Sequence, residues 1–126
     1  MNLNAYLSES CIKNDVEIAS MADAVDLLAE LHKKAGNITD KEKFKAQILE
    51  REKIMTTAII PGIAIPHAKS QYALRPALAK ITLKKPVKWN CRNVSTVYML
   101  ASPDSASHLK MLCALADSLQ NPPDNI

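Results

Sequence analysis

Apolar residues recur at helical spacing across residues 20–35, where Ala24, Leu27, Leu28, Leu31 and Ala35 form one stripe. Ser20 stands as the N-cap with Asp23 three residues on, an acidic version of the capping box. Gly36 then offers a left-handed stop. His32 lies beside the stripe and reads as a packing or surface residue. A second helix is predicted over 39–55, opened by the capping box Thr39-Asp40-Lys41-Glu42, with Phe44, Ile48 and Met55 on its buried side. Arg51 falls at the late end of that helix, where its charge complements the dipole. Residues 1–19 are mixed: Leu3, Ala5 and Leu7 alternate, and Cys11-Ile12-Lys13 reads as a short edge strand.

Beyond residue 55 the period changes from helical to alternating. Proline fixes its own φ and pushes its predecessor into extended backbone, so 63–66 reads as a short strand that stops with His67 at its exit. Residues 77–83 alternate as a strand that Lys84-Lys85-Pro86 ends, and Val87 and Trp89 alternate again before polar Asn90, Arg92 and Asn93. The run 94–101 reads as a strand buried on both faces. Ser102-Pro103-Asp104-Ser105 breaks it. A last helix is predicted over 105–119, capped by Asp104 or Ser105, with Leu109, Leu112, Cys113, Ala116 and Leu119 inward and His108 in its first turn. Pro122-Pro123 closes the pattern. This order predicts an α/β fold, a mixed central β-sheet flanked by helices, in a single domain over residues 1–126.

Composition narrows the field. At 126 residues and 48% hydrophobic, the chain buries a real core and is not a disordered polar segment. A net charge of +3 with scattered lysines, one Phe and one Trp argues against nucleic acid as a partner. Cys11, Cys91 and Cys113 are far apart, with no C-x-x-C, and read as buried free thiols in a reducing cytoplasm. Asn2, Asn4, Ser8 and Glu9 interrupt any apolar opening of the signal-peptide kind, and no run approaches a membrane span.

The ordered set Glu50-Arg51-Glu52-Lys53, Thr57, Gly62-Ile63-Ala64-Ile65-Pro66-His67, Pro86-Val87-x-Trp89 and His108-Leu109-Lys110-Met111-Leu112 resembles the enzyme IIA domain of the fructose/mannitol class of the bacterial sugar phosphotransferase system, including its nitrogen-regulatory branch. The resemblance covers most of the chain. It implies a phosphoryl carrier that accepts phosphate on His67 from the histidine-containing phosphocarrier protein. The group then passes to a cysteine of enzyme IIB. It further implies His108 as a second site histidine, Arg51, sixteen residues before His67, as a cationic partner, and Thr57 as a phosphate ligand or turn cap. A regulatory module switched by phosphorylation of the same histidine is the alternative. Either role is cytoplasmic, needs no cofactor or metal, and meets the membrane only through a transporter.

These residue types suit the chemistry. A neutral imidazole is available near pH ~6.5 and above to attack phosphorus, while its second nitrogen is held by an acceptor. The phosphoryl oxygens need donors and positive charge, which His108 at a helix start and the Arg51 fork supply. On spacing alone His108 shares a face with Leu112, Leu115 and Leu119, as a core histidine would. Lys69 follows as a surface lysine or a phosphate donor. A metal centre on His67 and His108 lacks a third ligand, Asp104 being the one acidic neighbour. Two departures stand out. Ile60-Pro61 replaces a glycine and a small polar residue of the family, which removes an amide donor. The family's further C-terminal helix has no counterpart here.

Overall fold

The structure, a computed structural model, describes residues 3–120. A short 3-10 turn (Leu3–Ala5) leads into strand β1 (Leu7–Val16), followed by helices α1 (Met21–Lys34) and α2 (Lys41–Ile54). Strands β2 (Gly62–Ala64), β3 (His67–Lys69), β4 (Ala77–Trp89) and β5 (Arg92–Ser102) and helix α3 (Ser105–Gln120) complete the described residues. The expected proline stop at Pro122-Pro123 lies outside the described residues.

The five strands form one mixed sheet in the order β1-β4-β5-β2, with β3 also paired to β5. β4 and β5 are antiparallel, whereas β1 runs parallel to β4, and β2 and β3 run parallel to β5. Alternation along the central strands separates two cores. Ala79, Ile81, Val97, Met99 and Ala101 pack with α1 and α2 around Phe44, Leu28 and Trp89. Leu78, Tyr98 and Leu100 pack on the other face with Met111 and Leu115 of α3. The fold is thus the α/β arrangement expected, with helices on both faces.

Local chemistry explains most boundaries. Ser20 accepts the Asp23 amide at 3.2 Å and caps α1, and Gly36 leaves the helix at φ +77°. For α2 the cap is Asp40, which accepts the Lys43 amide at 3.0 Å, so Thr39 of the expected box sits one position outside. Met55 is 62% exposed, not buried, because the backbone turns extended there and carries the side chain out of the helical stripe. Asp104 caps α3 by accepting the Ser107 amide at 2.8 Å.

Four other expectations are corrected. Lys84-Lys85-Pro86 does not end β4; the register shifts between Thr82 and Val87, and the proline is accommodated at that irregularity. The edge strand foreseen at Cys11-Ile12-Lys13 extends over all of β1, with a positive φ at Asp15 where its register shifts. Only Cys11 is buried, whereas Cys91 lies in the β4–β5 turn and Cys113 on the outer face of α3. The buried side of α3 is Met111, Ala114 and Leu115 with Leu112 and Leu119 at its margin, while Leu109 and Ala116 are exposed.

Candidate functional site

β2 and β3 lie end to end along the same side of β5, with Gly62 opposite Val94 and His67 opposite Leu100. Ile65 and Pro66 interrupt them. Pro66 has no amide to offer, though its carbonyl still accepts the Leu100 amide at 3.1 Å. The interruption frees the Ile65 carbonyl, which lies 2.7 Å from Nδ1 of His67. His67 therefore opens a second short strand rather than trailing the first into a loop.

A carbonyl oxygen can only accept, so the His67 Nδ1 carries the proton of that bond and Nε2 keeps its lone pair in the neutral ring. The His67 pKa is lowered, chiefly by burial and further by the Arg51 charge. The Ile65 bond and the charge of Glu52 act against those two. The half-buried ring is thus biased toward its neutral, nucleophilic form.

His108 projects from the first turn of α3, and its ring centroid lies 4.9 Å from that of His67 at a 54° tilt. Its Nδ1 is 2.7 Å from the hydroxyl of Ser102, a wholly buried residue at the end of β5. Burial lowers the His108 pKa, and His67, Lys69 and Arg51 add to the effect. Lys69, at the end of β3, donates to the Ser105 hydroxyl at 2.9 Å and so ties that strand to the start of α3.

Arg51 approaches from the other face of the sheet. Its Nη1 donates to the Met55 carbonyl at 2.8 Å, closing the C-terminus of α2, and its charge acts on both imidazoles. The structure thus brings His67, His108 and Arg51 to one edge of the sheet. Thr57 is engaged differently. Its hydroxyl and amide both donate to Glu52, at 2.7 and 2.6 Å, and the residue is buried.

Sequence reasoning missed Glu52 and Ser102. Glu52 is 3% exposed and also accepts from the Trp89 indole at 2.9 Å and the Asn90 amide at 3.4 Å. Its place in Glu-Arg-Glu-Lys and the separate Pro-Val-x-Trp segment were both visible, but nothing in the sequence joined them. The turn before β2 is built from Ile60, Pro61 and Gly62. Ile63 donates to Ile60 at 3.0 Å across Pro61 and Gly62, with Gly62 at φ +78°. Proline followed by a positive-φ glycine is the composition of a type II turn.

An edge histidine with a fixed tautomer, a second imidazole against it and a cationic helix end define an enzyme IIA-like α/β domain. The chain belongs to the family described as phosphoenolpyruvate-dependent sugar phosphotransferase system, EIIA 2, whose model matches residues 5–125. It is 32% identical over 124 residues to the fructose-specific EIIABC component of Bacillus subtilis, covering 94% of this chain and 20% of that protein. It is 30% identical over 125 residues to the nitrogen regulatory protein of Klebsiella oxytoca, covering 94% of this chain and 76% of that one. The fold matches the complex of Escherichia coli enzyme IIA mannitol with phosphorylated enzyme IIB mannitol at a TM-score of 0.78. Identity there is 19%, with 90% of this chain and 81% of that one covered. The chain spans about a fifth of the length of the EIIABC relative. No helix among the described residues is long and apolar enough to cross a membrane.

Proposed function

We propose that this domain is a phosphoryl carrier of the sugar phosphotransferase system, with Nε2 of His67 as the acceptor. The observation that carries this is the 2.7 Å bond between Nδ1 of His67 and the Ile65 carbonyl, which leaves Nε2 as the free base. The Nε2 lone pair forms the new N–P bond while the bond from phosphorus to the donor imidazole breaks, its electron pair staying with the donor. In the forward step, the thiolate of a cysteine forms the S–P bond as the His67 N–P bond breaks. The family resemblance supports the histidine-containing phosphocarrier protein as donor and an enzyme IIB domain as recipient, and the mannitol enzyme IIA of similar fold is seen in complex with phosphorylated enzyme IIB.

Transfer of this kind needs little covalent help from the protein beyond positioning and charge. With the Ser102 hydroxyl donating to its Nδ1, His108 presents an Nε2 N–H to a phosphoryl oxygen. Arg51 supplies a positive field, and the start of α3 favours an anion. Thr57 spends its hydroxyl on Glu52, so phosphate binding falls to the other groups.

Incubation with the upstream phosphorylation chain is expected to give an acid-labile, base-stable phosphohistidine on His67, lost in His67→Ala. Phosphate on another residue, or none on the folded protein, would overturn the assignment. A regulatory role is the second reading, favoured by the match to most of a nitrogen regulatory protein. Pull-down with phosphorylated and unphosphorylated forms separates the two: partners selective for one state, without onward transfer to a thiol, support regulation.

A further inference from the structure

A short series of hydrogen bonds joins Glu52 to the His67 ring. Glu52 receives the Thr57 amide at 2.6 Å and the Thr57 hydroxyl at 2.7 Å. The Thr57 carbonyl accepts the Ile65 amide at 3.3 Å. The Ile65 carbonyl takes the Nδ1 proton of His67 at 2.7 Å. Thr57 and Ile65 thus close the base of the loop that contains the Pro61–Gly62 turn, and the carboxylate anchors that base. We propose that Glu52 is a positioning residue for His67, acting through Thr57 and Ile65 to hold the imidazole in its Nδ1–H tautomer.

The anchoring is costly unless it is complete. A carboxylate this deeply buried needs its lone pairs filled, and four donors from three residues fill them. Trp89 and Asn90 belong to the β4–β5 hairpin, so Glu52 fixes Thr57 against the sheet as well as against its own helix. Two bonds from one threonine to one carboxylate define its orientation more tightly than either alone. If Thr57 turns, the amide of Ile65 loses its acceptor, the peptide is free to tilt, and Nδ1 of His67 loses the carbonyl that selects its tautomer. Nε2 would then carry a proton in part of the population and could not attack phosphorus. Consecutive residues of α2 thus act on the ring in different ways: the Arg51 charge favours its neutral form, whereas Glu52, whose charge works weakly the other way, sets its geometry through Thr57.

This rests on His67 being the phosphoryl acceptor, but its first readout does not. Nitrogen NMR of the histidine side chains, at a pH where the rings are neutral, reports the tautomer directly. Wild type should show His67 as Nδ1–H. Glu52→Ala and Thr57→Val should show a mixture, and the kcat for phosphorylation by the phosphorylated phosphocarrier protein should fall, by up to about 100-fold for Glu52→Ala. KM for the donor should stay the same. Glu52→Gln can still accept from the Thr57 amide and the indole, and should restore the Nδ1–H form and most of the rate. If Glu52→Ala does not fold, Thr57→Val decides alone, since it deletes one bond of the series. Folded variants that keep both the tautomer and the rate, or an Nε2–H wild type, would overturn the proposal. Loss of the tautomer in a protein that never takes phosphate on His67 would sink the carrier reading and leave the positioning role standing.

Discussion

The imidazoles of His67 and His108 lie 4.9 Å apart, close enough that a charge on one opposes a charge on the other. The His108 pKa is lowered first by burial and next by His67. His67→Ala should therefore raise the pKa of His108, read by proton NMR titration. An unchanged His108 titration would mean that the two rings do not share a field.

Arg51 lowers the pKa of both rings through its charge. Arg51→Met should raise both, and should slow phosphorylation by about 100-fold through lost transition-state stabilisation. Arg51→Lys should recover the titration but only part of the rate, because an ammonium lacks the planar fork. Equal rates for the three proteins would remove Arg51 from the reaction.

The buried histidine outside the site sets a pH limit on stability. His32 is fully buried between the Met99 carbonyl and the Asn37 amide, and burial lowers its pKa to about 4. The ring binds a proton more readily in the unfolded chain, at about 6.5, so its contribution is complete above that pH. It is lost as pH falls from about 6.5 toward 4. At pH 5 the cost should be about 2 kcal/mol by proton linkage. Urea unfolding at pH 7 and pH 5 measures it, and His32→Gln should flatten the difference. An equally steep loss in that variant would assign it to other groups.

Gly62 holds φ +78° in the turn before β2, and a Cβ there would have the Ser95 hydroxyl as its nearest neighbour at 3.8 Å. Space is ample, so the penalty of Gly62→Ala is backbone strain alone, about 1–2 kcal/mol. Thermal unfolding should show that loss. A neutral substitution would mean that the turn relaxes at no cost.

The sequence revealed those parts of the molecule whose causes are local. Ser20 and Gly36 bound α1 through contacts within a few residues, and the proline before His67 sets the break that defines the site. The Lys84-Lys85-Pro86 segment misled because a proline ends a strand only where no bulge receives it, and the bulge is made by pairing with β5. The inner face of α3 was offset because apolar residues surround that helix, leaving the sheet to choose among them. Glu52 entered the sequence reading only as a member of Glu50-Arg51-Glu52-Lys53, with no role of its own. Its donors Trp89 and Asn90 stand 37 and 38 residues away, and no periodicity links a carboxylate to an indole at that distance.

The edge that carries His67 is narrow: β3 has three residues, with α2 meeting it from one face and α3 standing against it from the other. On the proposed carrier reading, giver and receiver would have to land on the same patch in turn. Traffic through the domain would be double displacement, and a surplus of spent donor would queue ahead of the receiver and throttle the flow.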